Sequence, residues 1–522
     1  MDYNKNHNTI TTKSIWESYS AGSGFDMLQG TITAEVAVIG GGITGITTAQ
    51  LLKEAGHNVV VLEAMQVGAA NTGHSTGNLY VAVEEGFDTI KSKYTLDDLK
   101  TVIAARRAAI NLIEQNVNVL GLDCDFKTVP FYSYSANDEN VSKLQKIVKA
   151  GQEGGAPITE AQPGETGFEN KYAFRLDNQA QFNPLRYTQQ LAKAIDGDNC
   201  KIFENTRVVE IHDADEDGGL VRVVANDGEV HAKYVIHATH TPVGVFLDFH
   251  SLLGTYREYG IAARLASGTY PEGTIWGYYN INDRYSIRSY EHEGEQHIVV
   301  VGQPHEVGQK ENNTENIQNL EKFLHDHFDV AEITNRWGGQ NYKPADGLPY
   351  IGRKSKGSNI FVATGFSTDG LTYGTLSAMI IRDLIADKET DFSKLFDATR
   401  HNPLKAAGKF IKENAINAAE IIKDYVFFKN TSVDEIPAGE GKVVEFDGHK
   451  VAVFNDDEGE LKACSAICTH MGCVVHWNGA EKTWDCPRHA SRFTTDGEVI
   501  EGPALKPLAK ITLEDNSDVI PT

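Results

Sequence analysis

Apolar residues follow three rhythms along the chain. Near the start, Glu35-Val36-Ala37-Val38-Ile39 is an almost continuous apolar run, the pattern of a parallel strand buried on both faces. A helix is expected through about Ala55, Gly56 ends it, and Val59-Val60-Val61-Leu62 predicts the next strand. Thr206 to Ile211 and Tyr234 to Thr239 predict two more. From about 255 to 310 the rhythm turns to short, aromatic-rich alternations that predict antiparallel strands. Trp276, Tyr278, Tyr279, Tyr285 and Tyr290 lie there, with Arg257, Arg264 and Arg288. Ile411, Ala415, Ala418, Ile422 and Tyr425 recur at spacings of three and four, predicting an amphipathic helix with Pro403 in its first turn. Lys442-Val443-Val444-Glu445-Phe446 opens a last set of short alternating strands.

Composition narrows the function classes. The 522 residues imply two or three domains, and 41% hydrophobic with 23% charged residues is ordinary for a globular protein. A formal charge of -24 argues against a nucleic-acid partner, whose phosphates would be repelled. The six cysteines, three of them between 468 and 486, indicate no disulfide scaffold, so a reducing compartment fits. Met1 to Asn6 is polar, unlike a signal peptide, and no apolar run is long enough to span a bilayer. A cytoplasmic location is expected.

Between the first two strands, Gly40-Gly41-Gly42-Ile43-Thr44-Gly45 completes a strand-turn-helix fingerprint for a dinucleotide. Gly40 permits the tight turn, Gly42 lets the backbone approach the pyrophosphate, and Gly45 allows the helix to pack on the strand. Ile43 and Thr44 start the helix, whose free N-H groups face the phosphates. Glu63, eighteen residues past Gly45, is placed to accept from ribose hydroxyls. This pattern alone leaves FAD and NAD both open.

The C-terminal stretch carries Cys468-Thr469-His470-Met471-Gly472-Cys473 and, with fifteen residues between His470 and Cys486, Cys486-Pro487-Arg488-His489-Ala490-Ser491. Each box offers a thiolate and an imidazole at short spacing. Such a quartet can hold a structural zinc, or a Rieske [2Fe-2S] centre, in which two His replace two Cys on one iron. From about residue 430 to the end the chain resembles the Rieske family. The resemblance implies Cys468 and Cys486 on one iron and His470 and His489 on the other. It also implies that Ser491 donates a hydroxyl to a cluster sulfur and that Gly502-Pro503-Ala504 is the proline loop covering the cluster. Zinc sites require neither.

Residues 30 to 390 resemble the D-amino-acid oxidase and glycine oxidase superfamily. The resemblance rests on Arg336-Trp337-Gly338-Gly339-Gln340, on Pro344-Ala345-Asp346-Gly347-Leu348-Pro349-Tyr350-Ile351-Gly352, and on Ile360 to Gly365 followed by Gly370-Leu371-Thr372-Tyr373-Gly374. It implies FAD in place of NAD, with Gly347, Gly365, Gly370, Leu371 and Thr372 near the flavin and a backbone contact from Val208 to adenine. Thr72-Gly73-His74-Ser75-Thr76 matches the loop that approaches the flavin, giving Ser75 and Thr76 as cofactor contacts and His74 as an alternative point of covalent attachment. The expected fold is an α/β FAD-binding Rossmann-like domain over 31-395, with an antiparallel substrate sheet inserted at about 245-330. A 1-30 extension precedes it; a connecting helix at 396-428 and an all-β Rieske domain at 429-522 follow. Arg288, able to hold a carboxylate by two hydrogen bonds, His305 and Tyr279 are the catalytic candidates.

Together the two resemblances imply an enzyme that removes hydride from an amine or amino acid, N-methylated ones included. Electrons then pass singly through the Rieske centre to an external one-electron acceptor. An NAD(P)H-dependent reductase serving a separate oxygenase is an alternative, although only one dinucleotide fingerprint occurs; a non-catalytic redox sensor is another. Two departures bear on potential. Arg488 replaces the second Cys of the disulfide in respiratory Rieske proteins, and Phe493 replaces a Tyr whose hydroxyl donates to a ligand sulfur. Hydrogen bonds to sulfur favour the reduced, more negative cluster. A redox titration is expected to place this centre in the lower part of the Rieske range, about -150 to +300 mV; a potential near the top would contradict the reading.

Overall fold

The structure is a computed structural model that describes residues 13–214, 219–244, 246–267, 270–280, 283–310, 312–400 and 432–513. Its first layer is an eight-stranded sheet. The central strand Gly30–Ile39 pairs in parallel with Gly228–His237 on one side and Val59–Leu62 on the other. Ile360–Thr364 and Cys200–Phe203 extend the parallel set outward. Val36, Ala37, Val38, Val59 and Val61 are fully buried, as the unbroken apolar runs require of a sheet covered on both faces. Two helices, Ile43–Glu54 and Gly370–Ile385, pack together against this sheet. They approach so closely that a Cβ on Gly374 would stand 2.4 Å from Thr44 Oγ1. The close approach holds both helix N-termini at the carboxyl edge of the parallel strands, where α/β folds bind ligands.

The second sheet has nine strands and takes in more chain than the 245-330 stretch alone. Asp329–Pro344, Leu253–Ser267, Glu295–Glu306, Arg284–His292 and Thr274–Tyr278 pair antiparallel in that order. Thr274–Tyr278 then runs parallel to Lys127–Ser135, which brings in Tyr172–Gln181, Asn78–Leu79 and Ile158–Glu160. Alternation gives the sheet two faces. Tyr259, Ile261, Ile287 and Val300 pack under the helix Thr314–His327, through Leu320, Phe323 and Leu324. Gly260, Trp276, Arg284, Ser286 and Val301 face the opposite way and roof a cleft above the first sheet.

Residues 13 onward of the N-terminal extension are packed against the body. A capping box between Ser14 and Glu17 starts the short helix Ile15–Ser18. Buried Trp16 donates from Nε1 to Ser75 O at 2.7 Å, and Glu17 meets His74 Nε2 at 3.1 Å. The extension therefore braces the 72-76 loop.

The C-terminal module consists of two small antiparallel sheets. Gly441–Phe446, His449–Asn455 and Leu461–Ser465 form one; His476–Asn478, Thr483–Asp485, Arg492–Phe493 and Val499–Glu501 form the other. The helix expected around Ile411 to Tyr425 lies outside the described residues. Among the described residues no helix is long and apolar enough to cross a membrane.

The module is seated on the flavin-type domain through buried charge. Arg257, on the face of its strand turned from the cleft, forms a bidentate pair with Glu481, and Arg492 approaches the same carboxylate at 3.1 Å. Burial pushes the Glu481 carboxyl up, but the Arg257 and Arg492 guanidiniums prevail and hold it at about 2. Its folded-state pKa lies below the unfolded value of about 4.3. The stabilisation is therefore complete above that value and lost as pH falls toward 2. Glu481→Gln strands buried Arg257, while Arg492 keeps Asp485 at 3.2 Å, and is expected to cost about 3–5 kcal/mol. Thermal unfolding of the holoprotein checks this, and a transition unmoved by the substitution would refute the seating role.

Candidate active site and cluster site

The cleft between the sheets begins at the glycine turn. Gly40 has φ +105°, and a Cβ there would meet Ala238 O at 2.7 Å. Gly45 tolerates no side chain at all, since its Cβ would fall 1.9 Å from Gly40 O. Gly41 N donates to Glu63 Oε2 at 2.6 Å and Met65 N to the other oxygen at 2.8 Å, which fixes the carboxylate at the end of the second strand. Burial raises the Glu63 pKa, and the two N-H groups and Arg207 act against it. Ile43 N donates to Thr72 Oγ1 at 3.0 Å, tying the helix start to the 72-76 loop. Gly40, Gly42, Ile43, Thr44, Glu63, Ser75, Thr76, Val208, Gly370, Leu371 and Thr372 all line this one cleft. Gly45 stands behind it as a packing residue. Gly347 and Gly365, both with positive φ, lie off its lining against Ile90 and Leu253 respectively. A narrow turn, a helix N-terminus and a fixed acid are the groups a dinucleotide's pyrophosphate and ribose require, so these residues fit FAD.

In the C-terminal module the four box residues form two pairs. His470 and His489 turn Nδ1 toward Nδ1 at 3.1 Å, with ring planes at 84°. Cys468 lies within hydrogen-bonding reach of Cys486. That contact, the His470 backbone N-H and the Ser491 hydroxyl lower the Cys468 thiol pKa despite burial. Among the described residues, no three His, Cys, Asp or Glu side chains converge on one ion position. A single zinc needs its ligands at one point; one thiol pair and one imidazole pair fit the two irons of a [2Fe-2S] cluster. Ser491 Oγ also accepts from Ala504 N at 3.0 Å, anchoring the Gly502-Pro503-Ala504 loop. Cys473 is buried beside Cys486 and carries no disulfide. Phe493 is fully buried.

The two sites share a wall. Gly502, Ala504 and Leu505 of the proline loop line the cleft, as do Ile500 and Glu501. His470 Nε2 donates across the boundary to Gly244 O at 3.2 Å, and Gly244 N donates to Pro503 O at 3.0 Å. Glu501 accepts from Asn71 at 2.8 Å. Gln340, which lines the cleft, donates to Ala490 O at 3.1 Å, one residue from His489. His250 packs edge-on to His470 at 4.7 Å. The imidazole side of the cluster site thus faces the cleft.

The three catalytic candidates do not line the cleft. Arg288 spends its Nη1 on the carbonyls of Thr76, Gly77 and Phe182, at 2.9, 3.0 and 3.2 Å, and so braces the 72-77 loop. His305 stacks on Tyr259 and bonds Asn316, on the far face of the sheet. Tyr279 OH meets Tyr134 OH at 2.5 Å beneath the helix Thr314–His327. The roof is instead supplied by Glu258, Trp276, Arg284, Ser286 and Trp337, together with Tyr80 and Asn78. Strand alternation could have placed Trp276, Arg284 and Ser286 together. Nothing local marks Tyr80 or Asn78, which arrive from a distant segment.

Comparison with known proteins agrees with this geometry. Residues 35–384 match the FAD dependent oxidoreductase family, and residues 427–512 match the Rieske [2Fe-2S] domain. The Rieske 2Fe-2S iron-sulfur protein YhfW of Bacillus subtilis is 31% identical over 96% of this chain and 98% of its own. Gamma-glutamylputrescine oxidoreductase of Escherichia coli is 28% identical over 42% of this chain and 52% of its own. Among solved structures, L-proline dehydrogenase from P. horikoshii superposes with a TM-score of 0.58 at 17% identity, over 72% of this chain and 98% of that one. The chain belongs to the FAD-dependent oxidoreductase family and carries a Rieske [2Fe-2S] domain at its C-terminal end.

Proposed function

We propose that this enzyme oxidises the C-N bond of an amine or amino acid in the cleft and passes the electrons singly through the Rieske centre to an external acceptor. One observation carries the proposal: the loop over the cluster site is also a wall of the cleft. Bound FAD supplies a two-electron acceptor, and the cluster a one-electron carrier. Gly40, Gly42, Ile43, Thr44, Gly45, Glu63 and Val208 would hold the dinucleotide half. Ser75, Thr76, Gly370, Leu371 and Thr372 would lie by the flavin ring, with Gly347 and Gly365 shaping the turns behind it. Cys468 and Cys486 would hold one iron, His470 and His489 the other. Gln340 joins cleft to ligand loop by a single side chain, and Leu505 and Ala504 form part of the cleft wall beside it. The Escherichia coli relative is named for a putrescine derivative, which supports a nitrogen-bearing substrate. Six buried thiols without disulfides suit a reducing compartment such as the cytoplasm.

Anaerobic mixing with amines, amino acids, their N-methyl forms and NADH, followed at flavin and cluster wavelengths, tests the proposal. One nitrogen-bearing substrate is expected to bleach both cofactors in turn. Flavin bleaching by NADH alone would mark a reductase. A fully loaded protein that no reductant bleaches would mark a sensor. Gln340→Leu is expected to slow cluster reduction several-fold while leaving flavin reduction unchanged; equal rates in both proteins would remove Gln340 from the route.

A further inference from the structure

Ion pairing on the roof of the cleft bears on which substrates enter. Glu84, Glu258, Arg284 and Lys343 meet there from four segments of the chain, with Asp369 nearby. Their pairing is uneven. Glu84 takes both cations, Lys343 Nζ at 2.8 Å and Arg284 Nη2 at 3.6 Å, and accepts from Thr368 N at 2.9 Å as well. Arg284 also lies 4.3 Å over the Trp276 ring. Asp369 has its own partner, Arg106, at 3.1 Å. Glu258 is the acid left without a paired cation among the described residues.

Strand alternation places it: Arg257 and Tyr259 turn to the far face, Glu258 and Gly260 to the cleft. Glu258 pairs in register with Gly339, and the slip against Glu295–Glu306 puts the extra residue on that partner strand, between Gly302 and His305. Here Arg257 goes to the interdomain pair, and Glu258 joins the lining of the cleft. Trp276 and Tyr80, edge-to-face at 5.1 Å, supply aromatic surface on the same wall. A carboxylate flanked by aromatic rings is a binding site for an ammonium ion.

Resting on the dehydrogenase reading, we infer that Glu258 receives the substrate nitrogen and that the substrate is an alkylamine without a carboxylate beside that nitrogen. Arg284, the cation on this roof, already faces Glu84 at 3.6 Å and lies over the Trp276 ring. The ammonium form, R-CH2-NH3+, gives a proton to the Glu258 carboxylate. The α C-H bond of the free amine then breaks, hydrogen and electron pair leaving together to the oxidised flavin. The iminium R-CH=NH2+ takes up water and releases ammonium, giving the aldehyde. Burial and the like charge of Glu84 raise the Glu258 pKa, with Arg284 and Lys343 acting against them and Asp369 adding to the rise. A raised carboxyl is the better proton acceptor at neutral pH.

The test uses the holoenzyme and two probes of one shape that cannot be oxidised at the α-carbon, tert-butylammonium and uncharged tert-butanol. Calorimetric titration of the wild type is expected to favour the ammonium by about tenfold to a hundredfold, the span of one charge-assisted hydrogen bond. Glu258→Gln should erase that preference, and Glu258→Asp should keep part of it, with flavin content unchanged in both. A wild type that does not prefer the ammonium, or a Gln variant that keeps the preference, overturns the assignment. So does flavin reduction that is faster with an α-amino acid than with the amine lacking its carboxylate. Should no nitrogen compound reduce the flavin, the dehydrogenase reading fails, while the binding preference still decides the role of Glu258.

Discussion

Glu481 is the point at which the two halves of the molecule are joined. Its carboxylate, supplied by the C-terminal module, sits buried against Arg257 from the second sheet and Arg492 from its own module. Withdrawing such charges from water costs several kcal/mol per ion. The cost is offset only when guanidinium and carboxylate meet in register. A rotated or shifted module would leave charge buried without a partner, so the pair restricts the seating to one orientation. Hydrophobic contact alone would be more tolerant of sliding.

That orientation has consequences at a distance from the pair. It brings Gly244 O to His470 Nε2, the Ala490 carbonyl to Gln340 and the Glu501 carboxylate to Asn71. Each contact spans the boundary, and all three lie on the side of the module that bears the ligand histidines. One loop then serves two purposes: Ser491 anchors Ala504 over the cluster site, while Leu505 and Gly502 close the cleft. The two candidate sites are thereby adjacent, with one wall in common.

Charge is also managed on the other side of the roof. Acids and bases alternate around the cleft, and most are matched: Glu84 with Lys343 and Arg284, Asp369 with Arg106. Matched pairs hold the aromatic side chains in place, since Arg284 lies over Trp276 and Arg106 lies 4.6 Å over Tyr373.

Local patterns carried the cofactor chemistry. The glycine turn, Glu63 and the two Cys/His boxes are each contained within a few tens of residues, and their spacing encodes the geometry directly. The pairing of thiols with thiols and imidazoles with imidazoles was implied by the resemblance to the Rieske family, while the strand-turn-helix over 35-62 followed from the sequence by itself. The roof did not. Asn78 and Tyr80 reach the cleft from a segment about two hundred residues away from Trp276, through strand pairings that depend on the whole sheet. Arg288 looked like a carboxylate ligand because its strand was right, but three carbonyls from loops outside that strand claim it. Glu258 and Glu481 were two acids among seventy-two Asp and Glu; only tertiary contact separates the one aimed into the cleft from the one that joins the domains. Sequence determined which cofactors this protein is built to hold, because their ligands are local. Tertiary structure alone decided how those cofactors face each other and what meets the substrate, because those contacts exist only between distant parts of the chain.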